Sequence, residues 1–168
     1  MHTNSSRTKD LENAVGLYKR LVYGIALNEL NSRNDADDVF QEVFLLYFRK
    51  APEGGFDSEQ GRRSWLIKTT LNFCRRYNCS KWNVRVEKKD PDELAEEIFE
   101  DETESSIFIN VKELPEKYRV PVYLYYFENM PVADIARVMD LRESTVQSRL
   151  LRARKKLKKQ MEGEFFDE

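Results

Sequence analysis

Charge is distributed unevenly along this sequence, and the distribution divides the chain. Residues 62–85 contain seven Lys/Arg and no acid, whereas residues 86–110 contain two Lys against ten Asp/Glu and few apolar side chains. An acidic segment of that kind is typical of a solvated linker. A second basic run, residues 142–159, has eight Lys/Arg and one Glu. We therefore predict two folded modules joined by an acidic tether.

The composition indicates a folded protein. Apolar residues make up 40% of the 168 residues and aromatic residues 12%, enough for a core although 35% are charged. No run approaches about 18 consecutive apolar residues, so we expect no membrane insertion. The N-terminus lacks an apolar signal core, so we expect a cytoplasmic protein. One histidine, two cysteines and no Gly-rich phosphate loop predict neither a metal site nor a cofactor.

The predicted N-terminal module, residues 1–85, has the apolar spacing of amphipathic helices. Asp35 is a plausible N-cap for a second helix, in which Val39, Val43 and Tyr47 recur on one side. A loop containing Pro and Gly follows, and Ser64 is predicted to cap a third helix. The first helix has its apolar residues at Leu11, Val15, Tyr18, Val22, Ile25 and Leu30.

The third helix combines basic and aromatic side chains. Lys68 and Arg75 lie along it, and Trp65 and Trp82 bracket it. A protein that holds an unpaired nucleic-acid strand needs this combination, because cations follow phosphates while rings stack on bases. An ordinary amphipathic helix explains the same residues, so the pattern alone leaves both interpretations open.

The predicted C-terminal module, residues 109–162, has the pattern of a helix-turn-helix. Pro115 suits the first turn of a helix, and Pro121 indicates either a kink or a start near Tyr118. Asp140 suits a left-handed corner, and Ser144 is a plausible N-cap for the last helix. Two helices joined by so short a turn are typical of helix-turn-helix proteins. The helix before the turn is predicted to bury Val132, Ile135, Ala136 and Met139.

The last helix separates an apolar stripe from a basic face. At about 100° per residue, Val146, Leu150, Ala153 and Leu157 form the stripe, and Ser144, Ser148, Leu151, Arg152, Lys155, Lys158 and Lys159 lie opposite. Short polar residues occupy the first turns of this face, the part of a recognition helix that enters the major groove. Cations occupy the later turns, where the helix would leave the groove past phosphates. Gln147 and Arg152 have the donors to reach base edges. This face therefore predicts DNA binding.

Three segments, in order, resemble bacterial sigma factors of the extracytoplasmic-function class of the sigma-70 family. "NDADDVFQEVFLLYFRK" resembles the segment that docks on core RNA polymerase, "SWLIKTTLNFCRRY" the promoter-melting helix, and "LPEKYRVPVYLYYFENMPVADIARVMDLRESTVQSRLLRARKKLKK" the C-terminal domain. The resemblance implies an all-α fold with two small helical domains, over residues 1–85 and 109–162. The acidic linker would be residues 86–108 and the tail residues 163–168.

The same resemblance implies roles for particular residues. Contacts with core polymerase are implied for Asp38, Gln41, Glu42, Phe44 and Leu45. Binding of the minus-ten promoter element is implied for Trp65, Lys68, Asn72, Arg75, Arg76, Lys81 and Trp82. Binding of the minus-thirty-five element is implied for Ser144, Thr145, Gln147, Ser148, Arg149, Leu151, Arg152 and Lys155. The implied partners are promoter DNA, the clamp helices of the β′ subunit and the flap of the β subunit of core polymerase, and an anti-sigma factor.

Two departures from the family and two alternative functions accompany this interpretation. Arg76 stands where the family often has Asp, and Leu71 where it often has Arg. One alternative is an autonomous helix-turn-helix regulator, which leaves "DADDVFQEVF" without a purpose. The other is a DNA-processing enzyme, whose metal ligands would be Asp35, Asp37, Asp38 and Glu42. No catalytic residue is implied by the sigma-factor interpretation, because the polymerase does the chemistry.

Overall fold

The computed structural model describes residues 2–52, 55–80 and 99–166, which form seven helices and no strand. The chain divides into two compact units, unit 1 (residues 1–88) and unit 2 (residues 89–168). The predicted all-α class with two helical modules is confirmed over these residues. Lys81, Trp82 and the predicted linker up to residue 98 lie outside them. No described helix has the length and apolar character needed to cross a membrane.

Unit 1 contains three helices, α1 (His2–Glu29), α2 (Arg33–Lys50) and α3 (Glu59–Ser80). Each helix packs against the other two and buries its apolar stripe against them. Burial of one large aliphatic side chain stabilises such a core by about 1.5–3 kcal/mol. The largest contributors with at most 2% exposure include Leu21, Val22, Ile25, Val39, Tyr47, Leu66 and Ile67.

Helices α2 and α3 both begin earlier than predicted, since each is capped by a serine upstream of the predicted residue. The Ser32 hydroxyl accepts a hydrogen bond from the Asp35 amide at 3.3 Å, so Ser32 is the N-cap of α2. The Ser58 hydroxyl accepts from the Gly61 amide at 3.0 Å, one residue before α3 begins. The predictions that Asp35 and Ser64 are caps are therefore wrong.

Unit 2 contains α4 (Glu102–Lys112), α5 (Glu116–Tyr126), α6 (Val132–Met139) and α7 (Glu143–Phe166). Helix α7 packs against the three others, so it has one covered and one open side. The core that covers it is aromatic and aliphatic, and its buried members include Phe108, Val111, Tyr123, Leu124, Ile135, Val146, Leu150 and Ala153.

Helix α4 begins inside the segment that was predicted to be linker. The Asp101 carboxylate accepts hydrogen bonds from the amides of Thr103 at 2.7 Å and Glu104 at 3.4 Å, which caps the helix. The buried Phe99 ring lies 5.1 Å from the ring of Phe108. The C-terminal module therefore extends upstream of residue 109. The segment was predicted to be linker because its many acidic residues outweigh these two aromatic side chains in composition.

Pro121 lies inside α5, which begins at Glu116 and not near Tyr118. A proline has no amide hydrogen to donate to the carbonyl four residues earlier, here that of Lys117. The Arg149 guanidinium of α7 lies 3.5 Å from that carbonyl oxygen and donates to it. A side chain of α7 thus provides a donor where the proline removes one.

The corner between α6 and α7 has the predicted left-handed residue. Asp140 has φ 54° and ψ 49°, and the Leu141 amide donates to the Ala136 carbonyl at 2.9 Å. Helix α7 begins at Glu143, so Ser144 lies in its first turn and is not the residue preceding it. Within α6 the buried residues are Ile135, Ala136 and Val138, whereas the predicted Val132 and Met139 are only partly buried.

Candidate nucleic-acid and polymerase interfaces

The open side of α7 carries the predicted recognition residues. Val146, Leu150 and Ala153 of the predicted stripe are buried and Leu157 is partly buried, which fixes the orientation of the helix. Thr145 is half-buried on the flank nearest α5. The outward face, exposed to solvent, consists of Ser144, Gln147, Ser148, Leu151, Arg152, Lys155, Lys158 and Lys159. A donor-rich first turn followed by cations suits a helix that enters a major groove.

An open cleft of about 370 Å³ lies where the first turns of α5 and α7 meet. We call it the α5–α7 cleft, and its lining residues are Lys117, Tyr118, Ser144, Thr145, Ser148, Arg149 and Arg152. The Lys117 ammonium lies 5.1 Å from the centre of the Tyr118 ring. Burial opposes ionisation of the Tyr118 phenol, but hydrogen bonds with Arg152 and Lys117 lower its pKa below the ordinary value. Two cations, those of Arg152 and Lys117, therefore interact with the Tyr118 hydroxyl.

The opposite flank of α7 carries a different arrangement. The Arg154 guanidinium lies 5.9 Å from the ring centres of both Tyr125 and Tyr126, and its Nε donates to the Tyr126 hydroxyl. Tyr126 is 44% exposed. The cation is therefore held in one orientation at the surface by two aromatic rings.

Helix α3 presents a polar face that includes the predicted minus-ten residues within the described range. Lys68, Asn72, Arg75 and Arg76 are exposed, and their spacing places them on one side of the helix. The Arg76 guanidinium lies 5.3 Å from the Phe73 ring. Leu71 is 4% exposed, so the residue that replaces the family's arginine belongs to the core.

Trp65 belongs to an aromatic cluster inside unit 1. Its ring lies 5.8 Å from that of Tyr47 and 6.0 Å from that of Phe56. The side chain is half-buried, so it packs mainly beneath the N-terminal part of α3 and presents little surface to solvent. We therefore interpret Trp65 as a packing residue beneath the α3 face.

The exposed side of α2 carries four of the five predicted polymerase contacts. Asp38, Gln41 and Glu42 are exposed, and the apolar Leu45 is 50% exposed beside them. We call these four residues the α2 surface. Phe44 is only 5% exposed and lies 4.8 Å from the Phe40 ring, so it belongs to the core. The polymerase contact that the resemblance implies for Phe44 stays a prediction, for a side chain that points away from the α2 surface because one residue corresponds to about 100° around a helix.

Arg62 has an internal role that the sequence analysis did not identify. Its side chain is 7% exposed and bonds Glu59 at 2.7 Å and Asp10 at 3.5 Å. The Tyr47 hydroxyl donates to Asp10 at 2.8 Å, and the Tyr18 hydroxyl donates to Glu59. This Arg62 network ties α1, α2 and α3 together. Its only sequence signal is a basic residue one turn after an acidic one.

The network also shifts the pKa values of its members. Hydrogen bonds from Tyr18 and Arg62 lower the pKa of Glu59. Burial disfavours the charged form of Arg62, but hydrogen bonds with Tyr47, Glu59 and Tyr18 keep its pKa above the ordinary value. Both charges therefore persist at neutral pH.

The acidic residues of α2 do not form a metal site. The Asp37 carboxylate accepts from the Tyr23 hydroxyl at 2.8 Å and lies 3.5 Å from Arg33, and Asp35 is buried at the start of the helix. Over the described ranges, no group of three or more His, Cys, Asp and Glu could hold a metal ion. The hypothesis of a metal-dependent DNA-processing enzyme therefore lacks its ligand set in this part of the chain.

Two family models match most of this chain in sequence order. The model described as "Sigma-70 region 2" matches residues 14–83, and the one described as "Sigma-70, region 4" matches residues 111–157. The first match contains the α2 surface and the α3 face, and the second contains residues 143–157 of α7 and the α5–α7 cleft. An autonomous helix-turn-helix regulator would account for the second match alone.

Several curated relatives match over nearly their whole length. The ECF RNA polymerase sigma-E factor of Haemophilus influenzae is 27% identical, with 88% of this chain and 85% of the relative covered. RNA polymerase sigma-H factor of Pseudomonas aeruginosa is 27% identical, with 86% and 82% covered. ECF RNA polymerase sigma factor SigW of Bacillus subtilis is 25% identical, with 88% and 86% covered.

Solved structures share the fold. CnrH in complex with the cytosolic domain of CnrY has a TM-score of 0.64 at 22% identity, covering 96% of this chain and 94% of that chain. The sigma factor RpoE of Bartonella quintana, in complex with the anti-sigma factor NepR, has a TM-score of 0.69 at 17% identity, covering 92% and 98%.

Proposed function

This chain belongs to the extracytoplasmic-function class of the sigma-70 family, and from that premise we propose how its two units divide the work of transcription initiation. As a sigma factor, the protein directs RNA polymerase to promoters. In our proposal unit 2 positions the enzyme on duplex DNA, whereas unit 1 docks on the enzyme and holds the melted strand. The polymerase does the chemistry in the cytoplasm, and this chain supplies no catalytic residue.

The minus-thirty-five element is assigned to the outward face of α7, and this assignment carries the proposal. Residues 144–159 contain no Asp or Glu, so the exposed side has charge of one sign. Gln147 and Arg152 have the donors to read base edges in the major groove. Lys155, further along, would follow phosphates, which adds affinity without sequence information.

The minus-ten element is assigned to the exposed face of α3. Unstacking a base costs a few kcal/mol. Phosphate contacts from Lys68, Arg75 and Arg76 would offset that cost, and Asn72 between them would contact a flipped base. Because Leu71 is buried and Arg76 replaces an acid, this face carries a different pattern from that frequent in the family.

Core polymerase is assigned to the α2 surface, with the β′ clamp helices as the partner. Asp38 and Glu42 provide charge, Gln41 provides hydrogen bonds, and the half-exposed Leu45 provides an apolar anchor. A polar rim around one apolar side chain is common at protein interfaces. Unit 2 would in turn contact the β flap, and the acidic segment would tether the two units and raise their effective concentration on one promoter.

An anti-sigma factor is a further proposed partner. The two solved structures described above are complexes, one with the cytosolic domain of CnrY and one with the anti-sigma factor NepR. A partner that covered the α2 surface would compete directly with polymerase. Purification of the full-length chain from its host would reveal such a partner as a stoichiometric protein released when core polymerase is added.

Run-off transcription tests the proposal. Core polymerase with the full-length chain is expected to give promoter-dependent transcripts from a library of host genomic fragments. Combining Asp38→Ala, Gln41→Ala and Glu42→Ala should abolish transcripts while leaving low-salt DNA binding intact. The pair Arg152→Ala and Lys155→Ala should instead leave polymerase binding intact and weaken promoter binding. Absence of any transcript with the unaltered chain contradicts the assigned function.

A further inference from the structure

The α5–α7 cleft lies beside the proposed recognition face, and two of its lining residues belong to neither α7 nor the predicted site. We propose that the cleft binds a backbone phosphate of duplex DNA, which makes Lys117 and Tyr118 of α5 DNA-contact residues. This inference rests on the proposed function and deepens it. It adds a second helix to the DNA interface and assigns phosphate contact to Arg149, for which the resemblance implied only binding of the minus-thirty-five element.

The geometry brings two helix N-termini to one place. Lys117 and Tyr118 lie in the first turn of α5, and Ser144 and Thr145 lie in the first turn of α7. The first turn of a helix presents backbone N–H groups without carbonyl partners and the positive end of the helix dipole, which together favour an anion. The hydroxyls of Ser144 and Ser148 line the same space and can donate to phosphate oxygens.

The side-chain charge of the cleft is not neutralised by acids. Among the described residues, no carboxylate forms a salt bridge with Lys117, Arg149 or Arg152. Their acceptors are neutral: the Tyr118 hydroxyl for Lys117 and Arg152, and the Lys117 carbonyl for Arg149 at 3.5 Å. Neutral acceptors hold the cations in place and leave their positive charge available to a ligand.

Two acids lie close in sequence but outside the cleft. Glu116 and Glu143 begin α5 and α7, and both are exposed and absent from the lining. Each stands in the first turn of its helix, where a carboxylate interacts favourably with the dipole. The lining itself therefore contains three cations, hydroxyl groups and no acid.

The position of the cleft favours DNA over a free anion. Ser148 and Arg152 belong both to the lining and to the outward face of α7, so the two surfaces are continuous. A helix in the major groove, which is about 12 Å wide, has a phosphate backbone along each edge. A phosphate in the cleft would fix the depth and tilt of α7, leaving Gln147 and Arg152 to contact bases.

The salt dependence of DNA binding tests this inference. Fluorescence anisotropy would measure binding of the full-length chain to a short random-sequence duplex at several salt concentrations. Lys117→Ala should lower affinity several-fold and reduce the slope of log K against log salt by about 0.9, the value for one lost phosphate contact. Lys117→Arg should restore the slope. Lys19→Ala removes the same charge from the exposed side of α1 in unit 1 and should leave the slope unchanged.

A second variant separates the positioning role of Tyr118 from charge. Tyr118→Phe keeps the ring under Lys117 and removes only the hydroxyl, so affinity should fall slightly and the salt slope should stay the same. Circular dichroism and thermal melting would establish that each variant folds. Failure of the unaltered chain to bind the duplex at low salt, or an unchanged slope for Lys117→Ala, overturns the inference.

A titration with inorganic phosphate distinguishes the two sources of the ligand. Amide NMR signals of Lys117, Tyr118, Ser144 and Thr145 should shift only weakly with phosphate and strongly with the duplex. If phosphate shifts these signals to saturation and the duplex does not shift them, the cleft is a site for a free anion. That result contradicts DNA binding in the cleft. Run-off activity does not depend on this outcome. If the unaltered chain is active in run-off transcription and Lys117→Ala leaves the salt slope unchanged, the phosphate site is rejected and the proposed function stands.

Discussion

Helices α3 and α7 both come from strongly basic segments, but they use their arginines differently. Arg62, near the start of α3, is buried and bonded to Glu59 and Asp10. Arg152, in the third turn of α7, is exposed and has a neutral phenol as its hydrogen-bond partner. One arginine organises the interior of unit 1, and the other is available to a ligand at the surface of unit 2.

A count of basic residues therefore overestimates the positive charge that a surface offers to nucleic acid. A cation bonded to acids is neutralised, whereas one with a neutral acceptor remains attractive to phosphate. The basic segment of α3 therefore contributes fewer free charges than its composition suggests. Unit 2 should therefore make the stronger electrostatic contribution to binding of duplex DNA. Unit 1 should bind the melted promoter strand only with the help of polymerase.

The largest expected effect is on the stability of unit 1. Arg62→Ala removes the donor of four hydrogen bonds, three of them to carboxylates, and should cost about 1.5–3 kcal/mol. Urea unfolding followed by NMR signals of unit 1 measures this cost. Arg75→Ala on the same helix is the matched control, and since Arg75 is exposed it should change stability by less than about 0.5 kcal/mol. An equal loss of unfolding free energy for the two variants would contradict the structural role of Arg62.

The next effect is on DNA binding by unit 2. Arg152→Ala should weaken promoter binding by about 1–3 kcal/mol and leave stability unchanged, because it removes a charge and a bidentate donor from the surface. Binding of the holoenzyme to a promoter recovered by run-off selection provides the measurement. Arg152→Lys is the sharper control, since it keeps the charge and the salt slope but loses the planar fork that discriminates bases. If Arg152→Ala lowers stability and leaves promoter affinity unchanged, Arg152 has a structural role and not a DNA-binding one.

Alkaline pH should act on the two units with opposite sign. Burial raises the pKa of Tyr18, of Tyr47 and of Tyr23, the last to about 12. A phenol whose pKa is raised in the folded state contributes stability below its unfolded pKa of about 10 and loses it as pH rises through the folded pKa. The pKa of Tyr118 in unit 2 is lowered, because hydrogen bonds with Arg152 and Lys117 outweigh its burial, so its ionisation adds stability to that unit as pH rises towards the unfolded pKa.

Urea unfolding at increasing pH, monitored separately in each unit by NMR, checks this prediction. Unit 1 should lose stability above about pH 10, and Tyr23→Phe should reduce that loss. Tyr118 should ionise before Tyr23, which its ring signals would report. Ionisation in the reverse order would contradict the positive environment assigned to the α5–α7 cleft.

The smallest expected effect is a stabilisation of unit 1. Gly16 lies in α1, is exposed, and has nothing within 4 Å of the position that a Cβ would occupy. Gly16→Ala should therefore stabilise unit 1 by about 0.5–1 kcal/mol through helix propensity. Differential unfolding of the two units measures it. A matching change in unit 2 or in DNA binding would show that the units do not behave independently.

Periodic features of the sequence predicted the structure well. The buried stripe and outward face of α7 follow from a 3.6-residue period that no neighbouring helix alters. The left-handed corner at Asp140 was also predicted, because few residue types tolerate that conformation. Both features depend on local chemistry, which the sequence contains in full.

Features that depend on a single side chain or on packing between helices were not predicted. The start of α2 depends on Ser32, and the start of α4 on Asp101 with Phe99 behind it. Phe44 is buried in the core of unit 1, where its ring lies beside those of Phe40 and Tyr47 on the same helix. Lys117 lines the α5–α7 cleft because α5 packs beside α7, a contact with no signal in the sequence of either helix.

Mapping transcription start sites tests the two-unit account most directly. Transcripts made by core polymerase with the full-length chain should begin downstream of two shared sequence blocks at constant spacing, one read by each unit. Arg152→Lys should change the sequences selected in the upstream block, and Asn72→Ala those selected in the downstream block. Start sites that share a single block, or variants that alter both blocks together, would contradict the division of promoter recognition between α7 and α3.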